Sequence, residues 1–484
     1  MKPEATTSTS IRRASRILRR SLAIATFIFL TAAVAGRGQA PFVRTYIVDG
    51  GSSPTANGNA LMIALSNISG NSATNPWLIK VEPGIFDLGS SGLTLKDYVD
   101  IEGSGPGVTT ITSSQPRTPG NLATINVPVG VHAEVRELTV QNISSDAIGI
   151  TSSSTNFALT RANVVIPNGA VSTFGILGTA ATIARTSFQL TSSNNTSEAI
   201  YVSGNPAIKD VTIVIQNTSA VVLSIGIQIT GGSPTIDNAV VTVSGAQSNY
   251  GAQLLQGSTT LISNSRFTVI TSNSAGAADG IRAFGGACTL QDLSISVTGG
   301  GASYGIVLNA GNGPALTSIV RRVTISASGA ANENNGVYVE GYQSATLRDL
   351  EVQASGGNQA TAVFAQYANF SGTGQSLVIM DSRLQASGGS FNDGLDVSGF
   401  GNTLTIVRTS ATASGGTSYG LSELNASNVF TIDHSQISGG TGSVHLNDLF
   451  RAGASQLAGT VSPALGTCAA CYSGSYAALS AACQ

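Results

Sequence analysis

A unit of about 25 residues returns again and again along this chain, and that period restricts the fold more than any other feature. The segments FGILGTAATIARTSFQL, IGIQITGGSPTIDNAVVTV, DGIRAFGGACTLQDLSISV, NGVYVEGYQSATLRDLEVQA and YGLSELNASNVFTIDHSQI carry it. Each opens with a small turn residue and an apolar-x-apolar strand. A Gly/Ser/Asn turn follows, then a second strand, a polar pair and a third alternating strand. The recurrent glycines include Gly149, Gly175, Gly226, Gly251, Gly280, Gly305, Gly336, Gly394 and Gly420. No helical period runs through the repeats, and Ile, Val, Leu and Thr dominate the strands. Three short strands and three turns fill one coil of a parallel β-helix. A coil buries its inward face only by stacking on its neighbours, at a spacing of about 4.8 Å.

The open ends of such a rod would template edge-to-edge pairing, so both need covers. At the start, TANGNALMIALSNI sets Leu61, Ala64, Leu65 and Ile68 on one helical face, with Thr55, Asn57 and Asn59 as candidate N-caps. At the other end Cys468, Cys471 and Cys483 crowd the last residues, with Cys288 far upstream. In an exported protein this reads as a disulfide-closed tail, and the expected pair is Cys471–Cys483. Cys468-Ala-Ala-Cys471 also has the spacing of a redox or metal pair. There is no second such pair, and His434 and His445 are not at ligand spacing, so no metal or cofactor is expected.

The first residues read as an address. IRRASRILRR precedes SLAIATFIFLTAAVA, an apolar run shorter than the ~20 residues of a membrane span. Ala33-Val34-Ala35 fits a cleavage site. The chain divides into a signal peptide (1–35), an N-terminal cap with first coils (36–112), β-helix repeats (113–455) and the Cys-containing tail (456–484). Removing 1–35 leaves 17 basic against 24 acidic residues and moves the net charge from −2 to −7. That argues against nucleic acid as a partner and offers no bulk attraction to an acidic polymer. The expectation is an exported monomer, extracellular, cell-surface or periplasmic, with no membrane insertion after cleavage.

WLIKVEPGIFDLGSSGLTLKDYVDIEGSGPGVTTI follows the helix. Its Pro83, Gly84 and Phe86, then Gly103, Gly105 and Thr109 to Ile111, resemble the opening of pectin methylesterase-like β-helices. The resemblance covers residues 43–112. It implies an all-β, right-handed parallel β-helix of the pectin-lyase-like superfamily, and the remainder is similar to exported bacterial β-helix proteins. The esterases' catalytic motifs are Gln-Asp-Thr-Leu, Asp-Phe-Ile-Phe-Gly and Leu-Gly-Arg-Pro-Trp. Only Gln291-Asp292-Leu293 imitates the first; the lone tryptophan is Trp77. The acid/base pair is incomplete, so no catalytic residue carries over.

Gln291-Asp292 has a plainer reading. The same polar pair returns as Arg136-Glu137, Lys209-Asp210, Arg321-Arg322, Arg348-Asp349 and Asp433-His434. A turn position, where Asp and Asn satisfy nearby backbone, explains all of them. His132 and Glu134 are read as a solvated turn. Two other columns point to a ligand. The residue before the recurrent glycine is Asp279, Tyr304, Asn335, Asp393 or Tyr419. Phe284, Tyr342, Tyr367 and Phe400 lie in the turn after the first strand. Rings beside carboxylates suit sugars. Asp393 and Asp396 also allow a weak calcium reading. The functional expectation is a non-catalytic exported scaffold that binds a polysaccharide or cell-surface glycan through Phe284, Tyr342, Tyr367, Phe400, Asp279 and Asp393. The alternative is a pectin esterase, lyase or glycoside hydrolase on the same fold.

Overall fold

The computed structural model describes residue 42 and residues 44–484, other than 119, 194–195, 219–221, 312–315, 367–375, 400, 424–427 and 463–465. The strands stack in parallel as a β-solenoid of about 13 turns. Along one side runs a 15-stranded sheet, here called the first face. It includes Ala277–Phe284, Ala302–Asn309, Glu333–Glu340, Gln359–Gln366, Phe391–Ser398 and Thr417–Glu423. The second and third faces join into a bent 30-stranded sheet. In Ala287–Gly299, Leu316–Ser328 and Gln343–Ser355 a single strand passes from one to the other.

Alternation sets the core. Leu290, Val320, Leu347, Ile379, Ile406 and Ile432 are register partners from coil to coil and are at most 1% exposed. Each such side chain contributes about 1.5–3 kcal/mol on burial.

The corner between the second and third faces is the polar pair of the sequence. Its second member is left-handed in coil after coil: Glu137, Arg161, Arg185, Asp210, Asn238, Asp292, Arg322, Asp349, Asp381, Arg408 and His434 all have φ between 46° and 57°. Asn264 holds the same place in the coil between Asn238 and Asp292, and Ala454 and Ala470 extend it. Asn and Asp tolerate this region well; the other residues accept strain of about 1 kcal/mol because the bend is needed in every coil.

The N-terminal helix spans Pro54–Asn67 and packs Leu61, Ala64 and Leu65 against the first coils. Its cap is Ser53, whose hydroxyl accepts from the Ala56 N–H at 3.4 Å, in place of Thr55, Asn57 or Asn59. Pro54 suits the first helical position. Asn57 is instead buried, and its amide donates to the Gly50, Ser52 and Ile85 carbonyls.

At the other end the stacking runs past residue 456, to Tyr472–Ser473. Residues 477–483 then fold back: the Cys468 N–H donates to the Ala481 carbonyl at 2.9 Å. The disulfide is Cys468–Cys483, not Cys471–Cys483. Cys471 follows the left-handed Ala470 and points inward, 1% exposed, as Ser435 and Ser455 do after their own left-handed residues. Its Sγ donates to the Ala469 carbonyl, repeating the Ser455 to Gly453 and Ser435 to Asp433 bonds. A side chain committed to the core cannot reach the tail. The 15-residue closure by Cys468 is worth about 3 kcal/mol.

Candidate functional site

Carboxylates occupy two settings on this rod. At the corner they are exposed and paired. The Arg322 Nε and Nη2 atoms donate to the two Asp292 oxygens at 2.6 and 2.8 Å, and Arg321 holds Gln291. Arg408 grips Asp381 in the same fashion, at 2.6 and 2.9 Å. The guanidinium of Arg322 holds Asp292 below the ordinary carboxylate range, and Arg408 does so for Asp381. The open groove beside them is lined by Arg322, Asp349, Glu351, Asp381, Arg383 and Arg408. Gln291-Asp292 is thus one rung of an ion-pair ladder.

Nearer the N-terminus the corner turns inward. Arg136, 6% exposed at its side chain, is met by Glu102 at 2.7 Å, Glu134 at 2.8 Å and Asp100 at 3.2 Å. Glu134 opens the strand Glu134–Arg136 and is not a solvated turn residue. The His132 ring stacks on Tyr98 at 4.8 Å.

The first face is built differently. Its register skips the recurrent glycine in each coil: Asp279 pairs with Tyr304 and Ile281 with Ile306. A Cβ at Gly280 would stand 2.3 Å from the Ile295 Cγ2 and 2.4 Å from the Gly305 oxygen. The glycine therefore lets the backbone pass close over the core, and the residue before it and the residue two after it both look outward. The first column reads Tyr250, Asp279, Tyr304, Asn335, Thr361, Asp393, Tyr419. The second reads Arg282, Val307, Tyr338, Phe364, Asp396, Ser422, His445.

The rings lie face to face along the rod. Tyr338 stacks on Tyr304 at 5.5 Å and on Phe364 at 5.3 Å, and further on Tyr419 stacks on His445 at 4.6 Å. These stacks contribute about 0.5–1.5 kcal/mol each. Between Phe364 and the Tyr419–His445 pair the ladder breaks, and Asp393, Asp396 and Ser422 fill the gap.

Asp393 and Asp396 are 7% and 4% exposed. Burial, with Asp396 beside it, pushes the Asp393 carboxyl up to about 7; burial pushes Asp396 up to about 6, partly offset by the Ser422 hydroxyl, which donates to it at 3.0 Å. The pair is thus shifted by burial toward the protonated form. It can donate through one carboxyl and accept through the other, as hydroxyl recognition and proton transfer both require. No basic side chain is bonded to either acid among the described contacts. Asp279 differs: it is fully buried between Tyr250 and Tyr304 in register, and the Arg282 Nε donates to it at 2.5 Å. The Arg282 guanidinium lies over the Tyr250 ring at 5.0 Å. Among the described residues no group of three or more His, Cys, Asp and Glu is placed to hold a metal ion.

The sequence-predicted residues scatter. Asp279 and Asp393 lie in one column, four coils apart. Phe284 ends its strand, and its register partners run Asn309, Glu340, Gln366 and Ser398. Tyr342 falls two residues beyond Glu340, because Gly341 turns the chain first, so it does not align with Phe284. Tyr367 and Phe400 lie outside the described residues. The rings that do align, Tyr338 and Phe364, and the partners Arg282, Ser422 and His445 were missed. Their signal is a fixed one: two residues after the recurrent glycine, or after Ala362 and Ser443 where alanine and serine replace it.

No family model matches the chain, and no curated protein matches it. Solved structures do. The mannuronan C-5 epimerase AlgE4 A-module of Azotobacter vinelandii is 12% identical, with 84% of this chain and 95% of that chain covered and a TM-score of 0.35. Pectin methylesterase from carrot is 12% identical, with 63% and 81% covered and a TM-score of 0.29. The catalytic domain of a GH87 alpha-1,3-glucanase is 12% identical, with 79% and 68% covered and a TM-score of 0.37. The fold itself is shown by the stacked parallel strands, which define a parallel β-solenoid.

Proposed function

We propose that this is an exported β-helix protein that binds a polysaccharide along its first face, centred on Asp393, Asp396 and Ser422. The observation that carries the reading is the break in the ring ladder. There two nearly buried carboxyls, both shifted toward the protonated form, lie with Phe364 on one side and Tyr419 and His445 on the other. Sugar hydroxyls both donate and accept, and a carboxyl donates when protonated and accepts when ionised. Export is supported by the arginine-rich and apolar leader and by the Cys468–Cys483 disulfide. No helix among the described residues is long and apolar enough to cross a membrane.

A second reading is glycosidic bond cleavage at the same pair. The raised Asp393 carboxyl favours it, since a general acid must keep its proton near the working pH. A glycan array with the mature protein, run beside a reducing-sugar release assay, separates the two. Binding without release, abolished in Asp393→Asn/Asp396→Asn, is the expected result. Release by the wild type but not by that double variant would replace binding with hydrolysis. Silence in both assays would remove the glycan reading.

A further inference from the structure

The charge pattern of the first face selects among polysaccharides. Resting on the binding reading above, we infer that the polymer taken is uncharged, and that Asn335 is one of its hydroxyl contacts.

Four outward columns cross this face between the coil of Asp279 and the coil of Tyr419. Their described residues carry five carboxylates: Asp279, Glu333, Glu340, Asp393 and Asp396. The one arginine is Arg282, and there is no lysine. Arg282 is already engaged by Asp279 below it and by the Tyr250 ring. Glu333 and Glu340 stand half-buried at the two margins, where Glu333 accepts from the Tyr304 hydroxyl at 2.8 Å and Glu340 from the Asn309 amide at 2.5 Å. Acid thus lies on both sides of the ring ladder and within its gap. A uronate or sulfated polymer laid here would meet acid at every second coil, roughly 10 Å apart, and the one arginine of these columns is already bonded to Asp279.

A second, independent observation points to a hydroxyl-bearing ligand. Asn335 sits in the column between Tyr304 and Thr361, 1% exposed. Neither its amide nitrogen nor its amide oxygen has a hydrogen-bond partner among the described residues. Elsewhere the buried asparagines of this rod are bonded. Asn334 next to it donates to the Ala330 and Gly356 carbonyls, and Asn392 to those of Gly389 and Gly415. An amide offers one acceptor and a donor pair, which a sugar hydroxyl answers with its own donor and acceptor. An anionic group offers only acceptors.

The test compares polymers that differ in charge alone. Polygalacturonate and polymannuronate are each set against their carboxyl-reduced forms, with a panel of neutral glucans, mannans and xylans, in equilibrium binding to the full-length protein at low salt. The expected result is binding of at least one neutral polymer. Each acidic parent binds at least tenfold more weakly than its reduced form. The surface variant Glu333→Lys/Glu340→Lys raises affinity for the acidic parents at least tenfold. Asn335→Ala lowers neutral-polymer affinity severalfold while the melting temperature is held or raised. Equal or tighter binding of an acidic parent by the wild type overturns the inference and leaves the binding reading standing. Binding of no polymer overturns both.

Discussion

Asp292 and Asp393 are the same side chain on the same rod, roughly four coils apart, and they live in opposite environments. Asp292 stands at the exposed corner, clasped by Arg322, with its carboxyl held below the usual range. Asp393 lies in the first face, nearly buried, beside another acid, with its carboxyl raised to about 7. Glu198, between Phe174 and Ile225, shares the second fate: burial lifts it to about 7, and its Oε2 has no partner among the described residues. An acid at the corner replaces water by a guanidinium and changes little. An acid in the face gives up water for rings and methyl groups. A fold gains nothing in stability from that, and at Asp393 the polysaccharide binding proposed above would repay the cost.

The largest effect expected comes from the glycine that makes the face. Gly280→Ala places a Cβ against Ile295 and the Gly305 carbonyl and is expected to cost about 3 kcal/mol in urea unfolding. Asp292→Ala at the corner of the next strand is expected to leave the midpoint nearly unchanged. An unaltered midpoint for Gly280→Ala would mean that the face is not packed on the core as described.

The next effect has a sign that depends on pH. A carboxyl whose folded pKa is raised stabilises the fold while protonated, below its ordinary pKa near 4, and that contribution is lost as pH rises through 6 to 7. Glu198, Asp279, Asp393 and Asp396 all act in this direction. Asp292 and Asp381 act in the other, their contribution being lost as pH falls below about 4. Melting temperature is therefore expected to decline between pH 5 and pH 8. Glu198→Gln should recover on the order of 2 kcal/mol at pH 8 and little at pH 4. A destabilising Glu198→Gln at pH 8 would show that the carboxylate is paired in solution.

The smallest effect belongs to the corner. Arg322→Ala removes both bonds to Asp292, but the pair is solvated, so no resolvable change in melting temperature is expected in physiological salt. A large loss there would erase the distinction between the two settings.

Much of this was legible in the sequence. The glycine column, the alternating strands and the polar pair give the coil, and Asp/Asn-rich pairs such as Asp237-Asn238 announce a left-handed corner. Cys471 was legible in principle too, because it follows Ala470 as Ser455 follows Ala454. It was missed because three cysteines in a tail invite pairing by nearness rather than by register. The ring ladder was hidden for a similar reason. Turn lengths vary between coils, so counting forward from the first strand to Phe284 and Tyr342 loses register at Gly341. Counting two residues from the glycine keeps it and finds Arg282, Tyr338, Phe364 and Asp396. Burial of the acids was beyond reach, since it depends on which rings stand one coil away.

The most direct test is a carboxyl titration of protein carrying carbon-13 at its Asp and Glu side-chain carboxyls, with Asp393→Asn, Glu198→Gln and Asp292→Asn used to assign resonances. Asp393 and Glu198 are predicted to titrate near pH 7 and Asp292 below the ordinary value of 3.8. A single population, with all three changing together near pH 4, would contradict the division between a face of buried acids and an ion-paired corner.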